Sequence, residues 1–173
     1  MYKVPEKLLD KHPHFPLLEP IAEVNRLKFL GKVKSFFTYR RKWKTHEDCC
    51  FWSNEIQKFI FIPVDFIFDG ASVPKALNGL YSSTGILFHG AIAHDFGYRY
   101  GGLFLVNEDG ELEFRIFSKG KLDDIFLDLC RQENDMPNVS KIAKSTLSMF
   151  GFMGWNENRK NNLDVNFDYW FLF

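Results

Sequence analysis

Cysteine is scarce in this 173-residue chain, with Cys49, Cys50 and Cys130 its whole complement. The count is odd, neighbouring cysteines rarely bridge each other, and no C-x-x-C spacing occurs. A disulfide framework and a zinc ribbon are both excluded as organising features, and reduced thiols of a cytosolic kind fit this usage. Net charge is missing too, because 22 Lys+Arg balance 22 Asp+Glu. The short cluster Arg40-Arg41-Lys42 forms no basic stripe. Neither a nucleic-acid groove nor electrostatic steering onto anionic lipid is therefore expected. No stretch reaches the ~18 apolar residues that span a bilayer, and Met1 to Leu18 has no apolar h-region. The expectation is a protein of cytoplasmic synthesis, without signal peptide or transmembrane segment. Export by a lysis or assembly route would leave no mark on such a sequence.

Aromatic residues are abundant. Twenty phenylalanines and 17% aromatics are unusual for this length. They either fill a core or form an exposed apolar patch for a partner or a lipid surface, with exposure expected first in the final Asp168–Phe173. The length favours one domain. Residues 1–20 carry four prolines and no clean period, which suggests an extended arm. Residues 21–68 favour strands: the stretch 32–40 is rich in β-branched and aromatic residues, and 59–68 is stronger still. Pro63 inside that second run suggests an edge or a bulge, and Asp69-Gly70 ends it as a turn. A loop with Pro74, Asn78 and Gly79 follows.

From about Thr84, a candidate N-cap, Leu87, Ala91, His94 or Asp95, and Tyr98 recur at helical spacing. Gly101-Gly102 stops that helix. Leu103–Val106 and Glu111–Phe117 flank Asn107–Gly110 as a β-hairpin. A second helix is predicted over about 121–132, with Leu122, Ile125, Phe126 and Leu129 on one face. A third is predicted over about 139–152, with Asn138 as its N-cap. Strands first and helices after argue for an α+β fold. Residues 69–153 form the helical site region and 154–173 an aromatic tail.

His94 and Asp95 lie mid-helix, roughly 100° apart. One can point into a pocket while the other points along its edge, which suits a base and a metal ligand working on one substrate. Asp123 and Asp124 fall in the first turn of the next helix, where the helix dipole alone favours carboxylates. Asp69-Gly70 taken alone is a turn after a strand.

Taken in order, D-G-x-S-x-P at 69–74, H-D-F-G-Y-R at 94–99 and D-x-x-F at 123–126 resemble the bacterial and fungal branch of secreted phospholipase A(2). The match covers roughly residues 65–130, and the hexapeptide is its specific part. The resemblance implies ester hydrolysis by water, with His94 as base and Asp123 as the carboxylate on the other ring nitrogen. It implies a calcium ion held by the carboxylates of Asp69 and Asp95 and the backbone carbonyl of Gly70. Tyr98 would pack against the site or hydrogen-bond to it. The fold so implied has N-terminal antiparallel strands, a pair of catalytic helices with an inserted hairpin, and a third helix. The cysteines that tie the calcium loop to the catalytic helix in that family correspond to Ala71 and Ala91 here, which suits a reducing compartment. His94 and Asp123 are also further apart in sequence than in the family, an excess the hairpin can absorb by returning the chain near its start.

The stretch 62–74 with H-D-x-x-Y and D-x-x-F is similar, in addition, to an uncharacterised domain family of tailed phages and bacteria, over about 55–152. This second resemblance implies phage origin. Three readings follow. The first is a calcium-dependent lipid esterase. The second is a non-enzymatic tail or virion component that docks phage proteins through the aromatic tail and keeps His94, Asp95 and Asp123 as a buried polar network. The third is a metal phosphohydrolase using His89, His94, Asp95 and Asp123.

Overall fold

The computed structural model describes residues 2–11, 16–21, 42–68, 88–133, 145 and 155–156. The expected strand at 32–40, the turn at Asp69-Gly70, the loop that follows and the N-cap at Thr84 lie outside these residues. So do the predicted third helix, Ser145 apart, and the aromatic tail, Trp155 and Asn156 apart.

The described residues form an α+β fold of two antiparallel sheets and two helices. In chain order the elements are β1 (Leu18–Ile21), β2 (Lys42–Thr45), β3 (Cys49–Ser53), β4 (Lys58–Ile62) and β5 (Ile67–Phe68). Then come α1 (Phe88–Tyr100), β6 (Gly102–Val106), β7 (Leu112–Ile116) and α2 (Lys119–Glu133). The smaller sheet runs β1-β2-β5 and the larger β3-β4-β6-β7.

Strand β4 shows why the larger sheet is the centre of the molecule. Ile60, Phe61 and Ile62 are all buried, so both faces of the strand are covered. Alternation is lost there because the strand is packed over both faces, with the Tyr2 ring 5.5 Å from that of Phe61. Its turn to β3 places Gln57 at a positive φ of 52°. Across that hairpin Trp52 faces Phe59 in register, and the rings meet edge-on at 5.0 Å.

The apolar run 59–68 is not one strand. Pro63 offers no N–H to a ladder, and at that point the chain leaves the larger sheet for the smaller. Thr45 holds the corner. Its hydroxyl donates to the carbonyl of Pro63 at 3.0 Å and accepts from the amide of Phe66 at 2.9 Å. Asp65 takes a φ of 65° within the corner. Where an edge or bulge was expected, the proline marks a change of sheet.

The β6–β7 hairpin lies between the two helices in the chain, as expected. Its turn is as read: Asn107 Oδ1 accepts from the amides of Asp109 and Glu111 at 3.0 and 2.8 Å, and Gly110 has φ 79°. The hairpin also supplies half of the larger sheet, with Ile60 paired to Leu105 and Phe61 to Phe104. The N-terminal arm is fastened rather than loose. Val4 N donates to Gly110 O at 2.8 Å, and the Tyr2 hydroxyl donates to Asp48 Oδ2 at 2.7 Å.

The phenylalanines resolve in favour of a core among the described residues. Phe51, Phe61, Phe66, Phe68, Phe96, Phe104 and Phe126 are all fully buried. Among the described residues the large hydrophobic side chains left exposed are Leu17, Val64, Ile67 and Ile116, none of them aromatic. No helix among the described residues is long and apolar enough to cross a membrane.

Candidate functional site

Helix α1 owes its position to two glycines. A Cβ on Gly90 would lie 2.5 Å from Cys130 Sγ and 2.9 Å from the Phe126 carbonyl oxygen. One on Gly97 would lie 2.6 Å from Leu122 Cδ2. Both glycines face α2, and the two helices meet more closely there than larger residues allow. His94 is four residues after Gly90 and three before Gly97, which puts it within about 60° of each around the helix. It therefore projects into the seam between α1 and α2. The end of α1 is set by Gly101, with φ 75° and its amide bonded to Gly97 O at 2.8 Å. The amide of Phe117 then bonds to Gly101 O at 3.0 Å, so the hairpin brings the chain back to where it left the helix. Helix α2 starts there.

That return places Asp123 opposite His94. The ring Nε2 of His94 lies 3.1 Å from Asp123 Oδ1, although 29 residues separate them in sequence. The Tyr98 hydroxyl donates to the same oxygen at 2.7 Å. Lys119 Nζ donates to the other, Oδ2, at 2.8 Å. His94, Tyr98 and Asp123 are 5%, 7% and 2% exposed. The Tyr98 ring lies on the imidazole at 3.9 Å between centroids, Phe126 meets that imidazole edge-on at 5.4 Å, and Trp155 meets Tyr98 edge-on at 5.4 Å.

Burial dominates the protonation of the histidine. It holds the His94 pKa below the usual imidazole value, against the opposing pull of Asp123, and the charge on Lys119 pushes the same way as burial. For Asp123 burial acts to raise the pKa, but the hydrogen bonds from His94, Lys119 and Tyr98 together outweigh it and the net shift is downward. Burial, then the bond to Asp123, pushes the Tyr98 phenol up. The pair is thus a neutral imidazole against a carboxylate whose counter-charge comes from Lys119.

Asp95 is half-buried on the next position of α1, with its Oδ2 inside the protein. Asp69 and Gly70, the other expected calcium ligands, lie outside the described residues. Among the described residues no group of three or more His, Cys, Asp or Glu is gathered as a metal site. His89 does not join His94. The two are about 140° apart around α1, and His89 pairs instead with Glu133, Nδ1 to Oε1 at 2.8 Å. Glu133 is ten residues beyond Asp123, about 15 Å along α2, so the donors named for a phosphohydrolase are not brought together. Asp124 turns outward, lining an open depression with Asn54, Glu55, Leu127, Asp128 and Arg131, none of them a member of the His94–Asp123 site.

Lys119 escaped the sequence reading. Helix α2 begins at Lys119, two residues before the predicted start. Ser118 marks its beginning: its hydroxyl accepts from the Lys121 amide at 3.3 Å. Asp123 consequently lies in the second turn and is buried, so a solvated helix N-terminus does not account for it. The signal available in sequence was the i, i+4 spacing of Lys119 and Asp123.

These observations define an α+β protein with a buried His–Asp–Tyr–Lys cluster in the seam of two antiparallel helices. The chain belongs to the family described as "Protein of unknown function (DUF1353)", whose model matches residues 43–143. That span includes His94, Asp95, Tyr98, Lys119 and Asp123. Searches of curated proteins and of solved structures found no match.

Proposed function

We propose that this protein is a calcium-dependent lipid ester hydrolase of the phospholipase A(2) type, in which the strands support a catalytic helix pair. His94 is the base that takes a proton from the attacking water, and Asp123 is the carboxylate that orients it. The observation that carries the reading is the 3.1 Å approach of His94 Nε2 to Asp123 Oδ1 across the seam. Burial favours the neutral imidazole that a base must be before it acts. The anionic Asp123 stabilises the imidazolium once the proton arrives. Asp95 beside the base offers a hard carboxylate oxygen, the donor type that calcium prefers. Asp95, with Asp69 and the carbonyl of Gly70, would hold the ion. When bound, calcium would supply Lewis-acid polarisation of the ester carbonyl.

A second reading draws on a different observation. Asp123 is 2% exposed and takes three hydrogen bonds, as a buried polar network that specifies packing also does. On that reading the protein is a non-enzymatic phage tail or virion component that retains the cluster for its fold. One experiment separates the two. Purified protein is incubated with phospholipid micelles and calcium, and fatty acid release is followed. The hydrolase reading expects release that EDTA or His94→Asn abolishes. Equal behaviour of wild type and His94→Asn under excess calcium sinks it and favours the structural reading.

A further inference from the structure

Lys119 has a position that helix energetics does not explain. It is the first residue of α2, where the helix dipole disfavours a cation. It precedes Asp123 by four residues, the weaker order for a helical ion pair. Its side chain is 18% exposed and that of Asp123 is 3% exposed, so this is not a solvated surface pair. The ammonium also stands 5.6 Å from the centroid of the Tyr98 ring. What the lysine does secure is one end of a buried carboxylate.

We propose that Lys119 is a positioning residue of the site: by anchoring Asp123 Oδ2 it leaves Oδ1 to the imidazole and phenol, and so fixes His94 with its proton on Nε2 and its lone pair on Nδ1. The chemistry requires this chain of consequences. An ionised carboxylate only accepts hydrogen bonds. Oδ1 lies within bonding distance of both the Tyr98 hydroxyl and His94 Nε2, so Nε2 is the ring donor, and in a neutral imidazole the other nitrogen is then the acceptor. Without Lys119 the carboxylate loses an anchor and its counter-charge, Nε2 loses its fixed acceptor, and the two tautomers exchange. The catalytic consequence rests on the hydrolase reading. The tautomer consequence does not.

The test uses 15N-labelled full chain at neutral pH, with the imidazole nitrogens of His94 identified by their absence in His94→Asn. The wild type is expected to show one neutral tautomer, protonated at Nε2. Lys119→Met is expected to average the tautomers, and Lys119→Arg to restore the single one. In the micelle assay kcat of Lys119→Met is expected to fall about 10–100-fold, the usual range for a partner that orients an active group. KM should be nearly unchanged, and most of the activity should return in Lys119→Arg. If Lys119→Met does not fold, Lys119→Ala, which also removes the donor, is read in the same way. A variant that keeps the Nε2 tautomer, or an active enzyme whose kcat survives the loss of Lys119, overturns the assignment. A wild type with the expected tautomer but no fatty acid release sinks the hydrolase reading and leaves Lys119 in its role.

Discussion

Asp123 is a buried anion, 2% exposed, in the seam between α1 and α2. Its stability depends on a ring nitrogen, a phenol and an ammonium all being in place. That dependence has a pH signature. The pKa of His94 in the folded state lies below its ordinary 6.5. Below pH 6.5 the unfolded chain therefore takes up a proton that the native seam refuses, and stability falls as pH falls. The pKa of Asp123 in the folded state lies below its ordinary 3.8. Its contribution is complete above that value and is lost as pH falls through the folded pKa. Both act in the same direction, so urea midpoints are expected to decline from about pH 6.5 downward. The decline between pH 6.5 and 5 should be shallower in His94→Gln, which has no ring to protonate. Parallel profiles for the two proteins would contradict the burial argument. At this scale His94, Asp123 and the contact of Tyr98 were legible in the hexapeptide and the D-x-x-F that follows. Lys119 was not, because a helix start placed two residues late left it outside the periodic pattern.

At the scale of elements, the seam between α1 and α2 is set by what α1 lacks. Gly90 and Gly97 leave room for α2, and the two positions differ in what an added methyl would meet. At Gly97 the obstacle is the end of the Leu122 side chain, which can turn away. At Gly90 it includes the backbone carbonyl of Phe126 at 2.9 Å, which cannot. Replacing a helical glycine by alanine gains about 1 kcal/mol of propensity, whereas overpacking costs about 1–3 kcal/mol. Gly97→Ala is therefore expected to be near neutral and Gly90→Ala to be destabilising by about 1–2 kcal/mol. Urea denaturation of both variants checks the order, and a Gly90→Ala protein more stable than wild type would refute it. The two helices differ in how plainly a buried face shows in their sequences. Ten residues of α1 are buried, on all sides of the helix, so its apolar period is blurred. Helix α2 keeps one buried face at Leu122, Ile125, Phe126 and Leu129, as its spacing predicts. The corner at Pro63 was visible only as a proline in an apolar run, since the hydroxyl that makes it comes from Thr45, far back in the chain.

For the whole molecule, the question is whether the larger sheet and the helix pair are one cooperative unit. The α+β class followed from the order of the elements. The joining of the β6–β7 hairpin to β4 did not, because register between distant strands leaves no local mark. Contacts between the two layers are specific. Ser53 donates to Asp128 Oδ2 at 2.8 Å, Gln132 Nε2 donates to Trp52 O at 3.1 Å, and Lys121 pairs with Glu55 at 2.5 Å. The three cysteines sit on either side of this junction, Cys49 and Cys50 on β3 and Cys130 on α2, all buried and none in a disulfide. Burial also pushes each thiol up, Cys50 to about 12, which keeps the reactive thiolate rare even where reagent enters. In native buffer all three thiols are expected to resist a disulfide reagent such as Ellman's. In urea they should become reactive along one shared transition that coincides with the loss of circular dichroism. If Cys130 reacted at lower urea than Cys49 and Cys50, α2 would be opening away from β3. The close packing at Gly90 would then be a local contact and not part of a single cooperative core.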